Sequence, residues 1–287
     1  MKVQKVLMLC VCLSLFLARG VQASIVNDKE TFEEKNIEYS FVDSKSVEVS
    51  SYSGNASELI IPSEVNGYKV VAIGDNAFYE NKVVKKIALP NTIVRIGMDS
   101  FSNSTLESIN LPESVREVWA HAFALTPVFE NNKVDGVAYI DNVCLGMRED
   151  GLIEDVKESE KVSINVLSDT KSIAAGAFSN NRYIKEVTIP ESVKNVGVSA
   201  FSNCINLEKV EIESKDLEVS YFAFSNCKNL RTVRGNIAYL EGSEGFKNTP
   251  FKTALLIKKS LIAGGVIGVV LLLTYSIYKK KRKKDKE

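Results

Sequence analysis

The side chains able to do chemistry in this 287-residue chain are few and scattered. Its one histidine, His121, is the only candidate general base of its kind and sits between Trp119-Ala120 and Ala122. Acyl transfer of the triad type needs a nucleophile and an orienting carboxylate gathered around such a base. No nucleophile-elbow pattern, metal-ligand pair or glycine-rich phosphate loop accompanies it. Cysteines stand at 10, 12, 144, 204 and 227. A metal site built on Cys204 and Cys227 lacks a third and fourth ligand, because His121 lies far away along the chain. These residue types point away from an enzyme, and no cofactor or metal is expected. Two sequons, Asn55-Ala56-Ser57 and Asn103-Ser104-Thr105, matter only in a host that glycosylates.

Both ends of the chain carry targeting patterns. Lys2 and Lys5 precede an apolar run from Val6 to Ala18 that ends in small residues at Val21-Gln22-Ala23, the layout of a secretory signal peptide. Residues 1–23 are therefore expected to be removed, leaving Ser24 at the mature N-terminus. At the other end Ser260 to Tyr278 is free of charge, and about 19 residues at about 1.5 Å each give a helix as long as a bilayer core is thick. Residues 260–278 are the expected single transmembrane helix, with Tyr275 and Tyr278 at the headgroups. The basic tail 279–287 belongs in the cytoplasm by the positive-inside rule. Gly264 and Gly268 form a small-xxx-small pair that could let two such helices approach. The Leu-Pro-x-Thr-Gly of a wall-sorting signal is absent, Asn248 to Thr253 being its nearest and non-matching counterpart. This topology places the N-terminus outside, at the cell surface.

The formal net charge of +0 averages unlike parts. Lys2, Lys5 and Arg19 leave with the signal, and the segment from Lys258 onward is strongly basic, so the remainder is acidic. An acidic ectodomain argues against nucleic acid as a partner, since phosphate binding draws on basic patches. Cys10 and Cys12 also leave with the signal, and the odd remainder of Cys144, Cys204 and Cys227 is no disulfide framework.

Between the ends the chain repeats. Ala77-Phe78, Ser100-Phe101, Ala122-Phe123, Ala177-Phe178, Ala200-Phe201 and Ala223-Phe224 recur about every 22 to 23 residues, except that the gap from Phe123 to Phe178 holds one repeat plus roughly 32 more residues. Each Phe is followed by an apolar triplet such as Val84-x-x-Ile87-x-Leu89-Pro90, Leu106-x-x-Ile109-x-Leu111-Pro112, Ile184-x-x-Val187-x-Ile189-Pro190 or Leu207-x-x-Val210-x-Ile212. A second pattern, Ile93-x-x-Ile96-Gly97, Val115-x-x-Val118 or Val193-x-x-Val196-Gly197, precedes the next Ala-Phe pair. Alternation in the first pattern reads as a strand with one face inward, ended by proline. One such coil cannot bury its own apolar residues, so coils must stack with each Phe, Ile and Leu over its counterpart. The expected product is a solenoid with one continuous core.

These residues resemble the BspA-like class of leucine-rich repeats. Ala200-Phe201-Ser202-Asn203-Cys204 and Ala223-Phe224-Ser225-Asn226-Cys227 match its coil ending, Tyr52-Ser53-Gly54 through Asn66-Gly67-Tyr68 its first coil, and Asp135-Gly136-Val137-Ala138-Tyr139-Ile140 its common hairpin insertion. The resemblance covers about residues 37 to 235 and implies a β-rich leucine-rich-repeat solenoid, wound as a right-handed superhelix, with cysteines packed inside as a ladder. Trp119 in place of an Ile-Gly corner, and Tyr221 with Phe222, depart from the pattern. The expected organisation is an N-terminal cap hairpin within 24–60, repeats over 61–235 with a hairpin insertion near 127–165, and a cap and stalk over 236–259. Past Gly235 the pattern fades. The insertion's hairpin, turning at Asp141-Asn142, is expected to project from the solenoid as a lip for ligand or a spacer over the core.

Contact is expected on the concave sheet face, where the outward positions of the main strand line up. These are Lys85 and Lys86, then Glu107, Ser108 and Asn110, then Lys185, Glu186 and Thr188, then Glu208, Lys209 and Glu211, then Arg231, Thr232 and Arg234. The stripe is charged, mixed in sign and almost free of aromatics, unlike a ready-made hot spot. The resemblance implies an adhesin or recognition module for an extracellular protein or glycan. The other reading is a structural envelope protein that self-associates through its solenoid.

Overall fold

The computed structural model describes residues 23–26, 29–147, 161–235 and 244–256. Residues 1–22 of the expected signal peptide, and all of the expected transmembrane helix 260–278 and basic tail 279–287, lie outside the described residues. Among the described residues no helix is long and apolar enough to cross a membrane.

Two apolar patterns per repeat produce two strand ladders. In the first, Glu58–Ile60, Lys86–Ala88 and Ser108–Ile109 pair in parallel, with Leu59, Ile87 and Ile109 in register. In the second, Tyr68–Ile73, Arg95–Ile96 and Glu117–Val118 pair in parallel through Ile73, Ile96 and Val118. The alternation fixes what is inside: Ile87, Leu89, Ile96, Ile109, Leu111 and Val118 are buried, while Lys86 and Ala88 face solvent. The Ile-Gly corner is steric, since a Cβ on Gly97 would lie 2.6 Å from the amide nitrogen of Asp75 in the preceding coil.

The ladders do not run unbroken. After the insertion they resume as separate sheets, one of Val162–Asn165, Ile184–Ile189, Lys209–Ile212 and Thr232–Gly235, the other ending in Ser172–Ile173, Asn195–Val196 and Glu218–Val219. The main-strand face expected as one sheet is thus two sheets. The hairpin accounts for the division, and it does not project. Val137–Ile140 and Val143–Gly146 pair antiparallel, every residue in both is buried, and Cys144 pairs in parallel register with Ile173. At its tip Asp141 Oδ2 accepts from Leu111 N at 2.7 Å and Asn142 O from Lys171 N at 2.7 Å. An apolar face on both strands leaves no side to give to water, so the insertion becomes an extra rung.

Between the ladders each coil turns on the Phe motif. Two residues four apart take a left-handed backbone in each turn from Phe78 to Phe224: Asn76 and Glu80, Asp99 and Asn103, His121 and Leu125, Gly176 and Asn180, Ser199 and Asn203, Phe222 and Asn226. The fold so made points the turn's Phe inward and its amides along the stack. Phe78, Phe101 and Phe123 stack with ring centroids 5.1 and 5.2 Å apart. A second column runs Phe178, Phe201, Phe224 and Phe246 at 4.8, 5.0 and 5.0 Å. Phe246 corrects the expectation that the pattern fades after Gly235: Gly245-Phe246-Lys247-Asn248-Thr249 is a further turn. Each buried Phe removes on the order of 1.5–3 kcal/mol of apolar exposure.

At the N-terminal end Ala23–Val26, Lys29–Glu34, Ile37–Phe41 and Ser46–Tyr52 form an antiparallel meander, whose last strand pairs in parallel with Tyr68–Ile73. Asp43 Oδ1 closes the turn by accepting from Lys45 N at 2.7 Å and Ser46 N at 2.9 Å. The meander covers the exposed edge of the second ladder.

Candidate interaction surface

The candidate stripe stands clear of the core, but its charges are mostly committed to one another. Lys85 Nζ lies 2.9 Å from Glu107 Oε1, and Lys86 Nζ 2.9 Å from Glu58 Oε1 of the coil before. Lys209 Nζ lies 2.9 Å from Glu211 Oε2 and 3.7 Å from Glu186 Oε2. The hydrogen bond from Lys86 to Glu58 raises the ammonium's pKa above its ordinary value, and that between Lys209 and Glu211 raises the one and lowers the other. Parallel pairing at Glu186, Lys209 and Thr232, and at Thr188, Glu211 and Arg234, places opposite signs on adjacent rungs. Ser108 is exposed beside Lys86. Lys185, Glu208 and Arg231 share one column through Glu208 N to Lys185 O and Arg231 N to Glu208 O. Asn110 is structural: its Oδ1 accepts from Leu89 N at 3.0 Å and its Nδ2 donates to Leu89 O at 3.2 Å. It supplies the pairing that Ser108–Ile109 is too short to give. The insertion separates Lys85, Lys86, Glu107, Ser108 and Asn110 from the other nine positions.

The other side chains singled out for chemistry are packing groups or stand alone. Cys144, Cys204 and Cys227 are free and buried. The thiols of Cys204 and Cys227 donate to Phe178 O at 3.0 Å and Phe201 O at 3.1 Å, one coil back in each case. Burial pushes the Cys144 thiol up to about 12. His121 is exposed, with Nδ1 3.9 Å from Asp99 Oδ1. Among the described residues no group of three or more His, Cys, Asp and Glu side chains is placed to hold a metal ion.

Besides Ile60 on the first ladder, which is 78% exposed, several apolar side chains stand exposed on the turn edge, which the sequence reading passed over. Tyr221 is 68% and Leu125 52% exposed, and Tyr79, Met98 and Phe222 lie on the same edge. A cleft of about 890 Å³ opens there between the turns of Phe123 and Phe178, lined by Met98, Trp119, Leu125, Phe129 and Met147 among others. Elsewhere each turn bonds to the next in a fixed way. Asp99, Phe101 and Asn103 donate their N–H groups to Ala120, Ala122 and Ala124 at 3.2, 2.8 and 2.8 Å. Gly176, Phe178 and Asn180 donate to Val198, Ala200 and Ser202 at 3.0, 2.7 and 2.8 Å. At the cleft Ala177 O accepts instead from Met147 N at 3.0 Å. The N–H groups of His121, Phe123 and Leu125 have no acceptor among the described residues.

A family model for the BspA type leucine rich repeat region matches six copies, over residues 45–147 and 157–262, well over half of the chain. The chain belongs to the BspA-type leucine-rich-repeat family. Among curated proteins, none matches significantly. Among solved structures, a leucine-rich-repeat protein of T. pallidum is 24% identical, covering 71% of this chain and 81% of its own, with a TM-score of 0.39. One from Bacteroides ovatus is 19% identical, covering 76% and 81%, with a TM-score of 0.32. A leucine rich cell surface protein from Faecalibacterium prausnitzii is 16% identical, covering 75% and 97%, with a TM-score of 0.24.

Within the BspA-type coil the signal for the missed turn was present, since Phe246 stands 22 residues after Phe224, close to the spacing of the other phenylalanines. Leu125 was legible too. The slot it fills holds Asn103, Asn180, Asn203, Asn226 and Asn248 in other turns, where side-chain amides link coil to coil, as from Asn203 Nδ2 to Asn180 Oδ1 at 3.1 Å. Only Glu80 and Leu125 replace asparagine in this left-handed slot among the described turns, and of the two only the leucine has no polar group to offer the next coil.

Proposed function

We propose that the protein is a non-enzymatic recognition module of the cell surface, whose solenoid meets an extracellular protein or glycan. The observation that carries this reading is the division of labour in the coils. Cys144, Cys204 and Cys227 and the phenylalanines of the turn columns are spent on the core, while the polar side chains of successive strands stand outward in register. Solenoids use such repeated surfaces for contact. Export and anchoring are read from the sequence: the Lys2 to Ala23 pattern, and the uncharged stretch from Ser260 to Tyr278 followed by Lys279 to Lys284, support a single-pass protein with its repeats outside.

The test is saturable binding of the full chain, held in detergent micelles, to a panel of matrix proteins and cell-wall glycans. A Lys86→Glu, Arg231→Glu variant is run beside it. The reading expects one member of the panel to bind and the variant to lose most of that binding. Equal retention of both proteins on a real ligand removes the sheet face as the contact, and no binder at all removes the recognition role.

A further inference from the structure

We propose that the cleft between the Phe123 and Phe178 turns docks an extended peptide segment of a partner protein, which accepts hydrogen bonds from the N–H groups of His121, Phe123 and Leu125. The inference deepens the recognition reading and rests on it in taking the partner to be a protein.

Three observations converge on a peptide. The first is the donor row. Elsewhere in the stack N–H groups on alternate turn residues meet carbonyls on alternate residues of the next turn, so the structure itself displays what completes such a row. Here the two turns still touch at Ala120 and Gly176 and part beyond them, and Met147 N of the insertion has taken Ala177 O, the carbonyl that the Phe123 position would otherwise meet. Left without a partner in the chain, these donors are free to bond a ligand's carbonyls in place of water.

The second is the facing wall. Ala175 O and Ser179 O accept no hydrogen bond among the described residues. A carboxylate or phosphate would satisfy the donors but meet these carbonyls as like-signed dipoles. A polypeptide backbone offers acceptors to one wall and donors to the other, as in strand addition at a sheet edge.

The third is Leu125. At φ 58° and 52% exposed, it bears the strain of a left-handed backbone without the side-chain hydrogen bonds that asparagine makes in that slot. Together with Met98 and Met147 elsewhere in the lining, Leu125 gives the cleft an apolar, adaptable surface on which one side chain of the peptide can rest.

Phage-displayed random dodecapeptides selected on the full chain in detergent micelles supply the probe, and the tightest is synthesised. Amide hydrogen exchange is then followed with and without it. In the free chain the amides of His121, Phe123 and Leu125 are expected to exchange about 100-fold or more faster than those of Phe101 and Phe201, and the peptide is expected to protect them. Leu125→Asn, which suits the turn, should weaken the peptide about tenfold or more. Lys86→Glu with Arg231→Glu should leave its affinity unchanged. Protection of the three amides in the free monomer would mean that the chain itself fills the row. Protection that appears only as concentration rises would assign it to a second copy. Either result overturns the proposal, as do a selection that yields no peptide, protection of other amides alone, or indifference to Leu125→Asn. The sheet-face variant keeps the two readings apart: lost panel binding together with untouched cleft amides sinks the cleft and spares the recognition role.

Discussion

Leu125 shows how one side chain can be read against its column. Asparagine tolerates the left-handed backbone that leucine enters only under strain, so Leu125→Asn should stabilise the fold by about 0.5–1 kcal/mol in urea unfolding. Asn110→Ala should do the opposite and cost about 1–2 kcal/mol, since Leu89 then loses a partner for both its N–H and its C=O. Protons act through the buried groups. The Cys144 thiol, ordinarily near 9.0, is pushed up to about 12 by burial, and burial with the charge of Glu34 pushes Tyr39 up to about 12. Above the ordinary values the unfolded chain releases protons that the folded chain retains, so stability is full below about pH 9 and falls as pH climbs toward 12. Urea midpoints should be level from about pH 7 to 8.5 and decline beyond, with Cys144→Ala shallower at the onset. A midpoint that rises with pH across this range would contradict the burial of both groups.

The elements differ in how far they can be read without a structure. The inward positions of the strands were legible because an alternating apolar pattern ended by proline has few ways to be buried, and Ile87, Ile109, Val187 and Val210 all lie inside. The turns were legible only as a Phe motif. Their left-handed pairs are a property of the backbone, and in His121, Leu125 and Phe222 that conformation carries no glycine or asparagine to announce it. The hairpin was legible as a hairpin but not in its placement, because hydrophobicity on both of its strands states that they are covered without stating by what. One residue reports where it docks. Gly146 has φ +91°, and a Cβ there would fall 1.8 Å from Ala177 O. Gly146→Ala should therefore force the hairpin off the Phe178 turn at a cost of about 2–4 kcal/mol. Hydrogen exchange should rise in Val137 to Met147 and in Ala174 to Asn181 before it rises elsewhere. Unchanged protection in those segments would mean that the extra rung is not held through this contact.

For the whole molecule the break in the Phe column matters more than the number of coils. In a solenoid, stability is close to a sum of coil and neighbour terms, and cooperativity passes from coil to coil through the interfaces they share. Phe101 hands it to Phe123, and Phe178 to Phe201, but between Phe123 and Phe178 the ring stack stops and the turn hydrogen bonds are replaced by the cleft. What crosses is thinner: Ala175 N to Val118 O at 2.8 Å, Asn195 Nδ2 to Arg116 O at 3.4 Å and the hairpin with its tip at Leu111. Damage on one side should therefore stay there. Phe201→Ala removes a ring stacked on both faces and should cost about 3–5 kcal/mol, with faster exchange throughout Val162 to Gly235 and little change from Ser46 to Val118. Phe101→Ala should give the mirror image. Equal acceleration on both sides from either substitution would mean that the cleft transmits strain as well as a packed coil does. Among the described residues the cleft is the junction where a bound peptide can alter the coupling between two halves, because the turns on either side of it are already joined by the chain's own backbone. A peptide seated there should narrow the difference between Phe201→Ala and Phe101→Ala, spreading the effect of either across the break.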